Sequence, residues 1–252
     1  VLTGTAGALY PFWSPDGRSI GFFAENRLLR LDLDAGQPRV IAEVVGMRGA
    51  TWGANDTILY AKGTVGGLLR VAATGGTSSD ATVLQEGQTN HRFPQFLPDG
   101  RHFLVFSLGN ADVSGIYLGS VESPDVARLS PSTSSASYLA GDWVAWQEES
   151  SIVARRLDVA AGRLTGDSYV VVERANDPGP AYTPTISGSF AGPAIYRSLA
   201  TGDREVRWFD AAGRPLDATI PPDDTLAGVR LSPDQKRWAT FRTIQGNSDV
   251  WV

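Results

Sequence analysis

Over residues 9–36 short apolar runs alternate with turn residues, LYPFW-SPDGR-SIGFF-AENR-LLRLDL-DAG. Runs of five or six residues bounded by Pro, Asp, Asn and Gly read as β-strands joined by tight turns. The pattern predicts strands over 9–13, 19–23 and 28–33. In the first turn Pro15 presets φ and Gly17 supplies a positive φ. No stretch keeps an i, i+3, i+4, i+7 apolar pattern for three turns, so no long helix is expected.

The unit recurs along the whole chain. Trp13, Trp52, Phe96, Tyr138, Ile186 and Leu231 each precede a turn (SPDG, GAND, LPDG, LAGD, SGSFAG, SPDQ) and then a second strand. Their spacings of 39, 44, 42, 48 and 45 residues match the period of propeller blades. Third strands repeat as LLRLD, LLRVA, IYLG, VARRLD and VRWFD, with outer strands expected at 39–44, 82–85, 126–129, 169–173 and 216–220. Four antiparallel strands linked by hairpins make a blade. The last unit stops after a third strand at 248–252. Residues 1–6 resemble the outer strands and are expected to pair with 248–252, closing the ring and removing its exposed edges. The expected fold is therefore all-β. It is a six-bladed propeller of four-stranded antiparallel blades in one domain, 1–252, with blades near 9–45, 48–86, 91–130, 134–174, 182–221 and 227–252 plus 1–6.

Composition narrows the function classes. The 22 Lys and Arg against 27 Asp and Glu leave a net charge of −5. With no basic run, nucleic acid and anionic membrane are not expected as partners. There is no Cys, which excludes disulfides, thiolate metal sites and a Cys nucleophile. No apolar run reaches the ~18 residues of a membrane span. The chain opens on Val1 rather than Met, so it reads as an excised or processed piece with targeting information outside it.

The phrases FWSPDGRSIGFF, RFPQFLPDGRHFLVF and VRLSPDQKRWATF resemble the TolB-like, WD40-like Pro-Asp repeats. The order ENRLLRLDLDAGQPRVIAE, RGATWGANDTILYA, LLRVAATGG, NHRFPQFLPDGRHF, VSGIYLGS, VRWFDAAGR is similar to the C-terminal sensor propellers of bacterial membrane Ser/Thr kinases. The resemblance covers the whole chain. Units four and five depart from it, with Ala140-Gly141-Asp142 and Ser187-Gly188-Ser189 in place of Pro-Asp-Gly. It implies a non-catalytic, extracytoplasmic sensor or docking domain, with any kinase domain outside this chain.

Gly17-Arg18-Ser19-Ile20-Gly21 matches G-x-S-x-G, but that elbow needs a strand followed by a helix, so Ser19 reads as turn and strand. Asp32 and Asp34, with Glu43 at position twelve, outline a Ca²⁺ loop. Asp158 and Asp210 recur at the place of Asp32, so scaffolding is preferred and Ca²⁺ is kept only as an alternative; no other cofactor and no metal ligands are expected. His102 is expected to pack or meet solvent. Four residues before each aligned position stand Leu9, Arg48, Arg92, Ser134, Tyr182 and Ala227. In a ring these converge, so Arg48 and Arg92, aided by His91 and Tyr182, form the candidate anion site at the channel mouth. The alternative is that each Arg pairs locally and plugs the channel. The expected ligand is a peptide, a protein or a small anion, and a monomer is expected. Two rival functions remain: a metal-dependent, lactonase-like propeller hydrolase, and the gating propeller of a peptidase.

Overall fold

The structure is a computed structural model that describes residues 2–34, 36–173, 186–190, 192, 194–197, 206–209, 214–220, 223 and 225–252. Every regular element among these residues is a β-strand. Each sheet is a meander in chain order, antiparallel throughout. The first holds β1 (Leu9–Trp13), β2 (Ser19–Ala24), β3 (Arg27–Asp32) and β4 (Arg39–Glu43). The second holds β5 (Ala50–Trp52), β6 (Thr57–Ala61), β7 (Leu68–Ala72) and β8 (Ser79–Asp80); the third β9 (Gln88–Phe96), β10 (His102–Gly109), β11 (Gly115–Ser120) and β12 (Ser123–Pro131). The fourth holds β13 (Ser137–Leu139), β14 (Trp143–Glu148), β15 (Ser151–Asp158) and β16 (Arg163–Val172); the fifth β17 (Ile186–Gly188), β18 (Ala194–Arg197), β19 (Val206–Phe209) and β20 (Pro215–Ile220). The last sheet has only β21 (Leu226–Leu231), β22 (Trp238–Ile244) and β23 (Asn247–Trp251).

The expectation of six four-stranded blades is corrected by this topology. Five blades have four strands; the last sheet has three and gains no strand from the N-terminus. Residues 3–4 and 6–7 are turns, and Gly4, with φ +81°, takes a left-handed conformation that breaks an extended run. The segment still lies along β23. Leu2 N–H donates to Val250 O (3.0 Å) and Ala8 N–H to Ser248 O (3.1 Å), and between them the Thr5 hydroxyl accepts from Val250 N–H (3.0 Å). A buried side chain thus stands in for the ladder that a strand would have made. The outer strand expected at 82–85 is also displaced, to Ser79–Asp80, because Thr82 turns inward and is buried.

The strand alternation explains how the sheets pack. On β2, Ile20, Phe22 and Ala24 meet Ala239 and Val250 of the last sheet, while Phe23 on the opposite face joins the cluster of Trp52, Ile58 and Tyr60. Both faces of the strand are covered, so all six residues are buried. Similar clusters join the second sheet to the third, the third to the fourth, and the fourth to the fifth. Each large buried side chain contributes about 1.5–3 kcal/mol of apolar burial. Arginines add a second tie. Arg237 stacks 5.1 Å from the Trp13 ring and Arg30 4.9 Å from the Trp52 ring, each from the preceding sheet.

The Ser-Pro-Asp turns have one chemistry at both ends of the chain. Ser14 Oγ donates to Asp16 Oδ1 (2.6 Å) and accepts from Ser19 N–H (2.9 Å). Ser232 Oγ donates to Asp234 Oδ1 (2.5 Å) and accepts from Arg237 N–H (2.9 Å). The Ser14 hydroxyl is the main reason the Asp16 carboxyl is held below its usual range. Ser14→Ala strands the buried Ser19 N–H, so a loss of about 1–2 kcal/mol is expected in urea unfolding. A midpoint unchanged from the native protein would show that the turn is set by Pro15 and Gly17 alone.

Candidate functional site

The inner strands of all the sheets surround one central cavity of about 470 Å³. It runs from Tyr10, Gly49, Phe93 and Gly228 to the turns at Pro15, Ala54, Pro98 and Pro233. Its shape comes from a repeated irregularity. Tyr10, Gly49, Phe93 and Gly228, each three residues before the aligned position, all have positive φ (51°, 84°, 51° and 62°). The register slips at three of them, beside Leu9/Phe12, between Arg92 and Gln95, and beside Ala227/Arg230. These are β-bulges, which re-aim side chains.

For Tyr10 and Phe93 the left-handed conformation costs on the order of 1–3 kcal/mol each, and such strain gathers where function needs a particular geometry. Here it sets an aromatic row. The Tyr10 ring lies 5.8 Å from that of Phe93 and 6.0 Å from that of Phe241, edge-on to both. Glycines make room for the row. A Cβ on Gly49 would stand 2.7 Å from the Phe93 ring, and one on Gly228 2.6 Å from the Phe241 ring.

The position just before the aligned residue usually ties one blade to the next. Thr51 Oγ1 accepts from Phe96 N–H (3.1 Å), Gln95 Oε1 accepts from Tyr138 N–H (2.8 Å) and Ser137 Oγ donates to Ile186 O (2.5 Å). In the last sheet this position is Arg230. Its carbonyl accepts from Trp13 Nε1 (3.1 Å) and its Nη1 donates to Val229 O (2.9 Å). Arg230 is the one charged residue among the described residues lining the cavity. Its guanidinium lies deep in the protein, and burial alone lowers its pKa to about 10. The residue keeps some accessible surface and lines the cavity.

Of the residues expected at the channel mouth, Arg48, His91 and Arg92 are not among those lining the cavity. Arg48 Nη1 donates to Met47 O (2.6 Å), its Nε is buried without a partner, and Arg48 is not among the lining residues. Arg92 is buried, its Nε donating to Asn90 Oδ1 (2.7 Å). His91 is fully buried between Thr82 Oγ1 (2.8 Å from Nδ1) and Gln88 Oε1 (3.0 Å from Nε2). Burial lowers the His91 pKa to about 4, so the ring is neutral near pH 7. Tyr182 lies outside the described residues. His102 Nδ1 meets the Asp99 carboxylate at 2.5 Å. Asp32 is held by Ser19 (2.6 Å), Arg30 (2.7 Å) and Arg39 (2.6 Å), and Ser19 is thereby a buried support of β3. The signals for the residues that were missed were short. They are an aromatic followed by Pro inside a strand, YP and FP, a pairing suited to bulges, and an Arg where other units carry Phe12, Thr51, Gln95 and Ser137.

No family model matches the chain, and no curated protein matches it in sequence. Its structure is similar to many solved propellers. TolB from Acinetobacter baumannii matches with TM-score 0.62 and 16% identity over 86% of this chain, which spans 56% of the TolB chain. The calcium-binding protein regucalcin from Agrobacterium tumefaciens matches with TM-score 0.69 and 16% identity, over 98% of this chain and 90% of that one. A gluconolactonase from Xanthomonas campestris matches with TM-score 0.68 and 14% identity, over 99% and 86%. The chain therefore has a TolB-like β-propeller fold. The expectation of a non-catalytic domain is corrected by the same comparison, since a gluconolactonase shares the architecture across nearly the whole chain.

Proposed function

We propose that this propeller acts on a small organic molecule in its central cavity, as a hydrolase of an ester or lactone. The cavity carries the reading. It is walled by the inner strands and lined by aromatic rings, with Arg230, Gln95, Ser137 and Ser187 among its polar residues. Concave, mostly apolar sites of this kind are where small ligands bind. The similarity to a gluconolactonase supports the reaction class. In that reaction water adds to the acyl carbon, the acyl C–O bond breaks, and the products are a carboxylate, an alcohol and a proton.

A divalent cation of the lactonase type does not fit here. The described lining residues include no Asp, Glu or His, and no three such side chains come together to hold a metal among the described residues. Hard cations need several oxygen ligands, carboxylates above all. No step is therefore routed through a metal.

The test is proton release from dihydrocoumarin and from glucono-δ-lactone, with and without EDTA. Turnover above the buffer rate, faster on the aromatic lactone and insensitive to EDTA, is expected. Neither lactone reacting would sink the hydrolase reading.

A second reading rests on the ordered Pro-Asp series. In it the propeller is the extracytoplasmic sensor of a membrane Ser/Thr kinase, and the cavity receives a peptide or small anionic signal. Among the described residues no helix is long and apolar enough to cross a membrane. A kinase domain and membrane span encoded upstream of Val1 would support this reading; their absence from the gene would end it.

A further inference from the structure

We infer that the ligand of the central cavity carries a single carboxylate, seated on the Arg230 guanidinium, with an apolar body against the Tyr10, Phe93 and Phe241 rings. The inference rests on the cavity being the working site and names the class of molecule that it takes.

The argument starts from an unbalanced charge. Among the described residues the Arg230 side chain has one hydrogen bond, to the backbone carbonyl of Val229. Among those residues no carboxylate pairs with it, and none belongs to the described lining. Arg48 is alike, bonded only to the Met47 carbonyl among the described residues, but it does not line the cavity; others have side-chain partners. Arg30 has Asp32 at 2.7 Å, Arg242 has Asp223, and Arg92 has Asn90. A guanidinium carries five donors and stays charged, so Arg230 enters the cavity with donors unspent. A buried cation without a counter-ion is costly, and a charge supplied by a ligand relieves that cost.

The rest of the wall decides which anion. With one cation and no other charge, a monoanion balances the site. A phosphate dianion would bury a second, uncompensated charge. The bidentate fork of an arginine also matches the plane of a carboxylate. The same wall carries the Tyr10, Phe93 and Phe241 rings, and Tyr10 and Phe93 are held there at the cost of left-handed backbone. That surface suits an apolar, ring-bearing body. The inferred class is therefore the arylalkanoic monocarboxylates and their near relatives. An ester or lactone opened in this cavity yields a product of that class.

Calorimetric titration of the whole chain with 3-phenylpropionate, its neutral amide 3-phenylpropionamide, and phenyl phosphate tests it. The carboxylate is expected to bind at least tenfold more tightly than the amide, with phenyl phosphate weaker than the carboxylate. Arg230→Met should remove the tenfold gap and leave the affinity for the amide within about threefold. Its thermal midpoint should be equal to or above that of the native protein, because an unpaired buried cation has been removed. Should the variant not fold, the gap measured on the native protein decides. Equal binding of carboxylate and amide, or a gap that survives Arg230→Met, overturns the inference and leaves the cavity as an apolar site. Binding of none of the three overturns the inference together with the cavity reading.

Discussion

Replacing Gly49 with Val is expected to destabilise the fold by about 3 kcal/mol or more and to close the central cavity to ligands. Gly49 has φ +84°, where a β-branched residue is strained. Its added Cβ would also stand 2.7 Å from the Phe93 ring and 3.1 Å from the Phe93 Cα. The ring could swing, but the Cα cannot, because Phe93 N–H is bonded to Arg48 O at 2.8 Å. Phe93 must then move towards Tyr10, into the space that the ligand needs. Gly162→Val separates the two effects. Gly162 has φ +62° with nothing within 4 Å of the added Cβ, so it carries backbone strain alone. Urea unfolding of both variants, with 3-phenylpropionate titrated into each, checks the argument. Equal losses at the two positions would refute close packing at the aromatic row.

Folding stability is expected to fall by about 3 kcal/mol from pH 6.5 to pH 4 through His91 alone. The folded His91 has a pKa of about 4 against 6.5 for the free side chain, lowered by burial. Between those values the unfolded chain binds a proton that the native protein does not, so protonation favours unfolding. The contribution is complete above pH 6.5, falls progressively below it, and levels off near pH 4. Asp16, Asp32, Asp99 and Asp234 all have lowered pKa values. Their stabilisation is lost only as pH drops through and below the ordinary carboxylate range. The stretch from pH 6.5 to 4.5 therefore belongs mainly to His91. Chemical unfolding across that stretch should show a steep slope in the native protein and a shallow one in His91→Gln. Matching slopes would mean that the ring is not held neutral between Thr82 and Gln88.

The repeat was legible because its signals are local. Alternation along 19–24 is enough to make a strand, and Ser-Pro-Asp-Gly is enough to make the turn that returns it. The predicted bounds of β1 match the observed ones, and most others given above differ by a residue or two. The missing helix after Ser19 and the recurrence of Asp32 in other units mark both as scaffolding, and the structure shows the two hydrogen-bonded to each other.

The site was less legible, for a geometric reason. A one-residue bulge shifts which side chains face the axis. The overlay placed Arg48 and Arg92 there, whereas the left-handed residues beside them, Gly49 and Phe93, line the cavity. His91 moved from the channel to a sealed seam because Thr82, ten residues beyond β7, turned back to meet it.

By itself, then, the sequence determined strand, turn, repeat and all-β class, each of which depends on neighbours a few residues apart. Tertiary structure decided that the last sheet keeps three strands, since a Thr5 hydroxyl rather than a backbone ladder meets Val250. It also decided that Arg230, among the described residues, is the charged group that lines the cavity with no carboxylate beside it. Charge balance in a closed ring depends on which side chains from distant blades share one enclosed space, and spacing along the chain does not encode that.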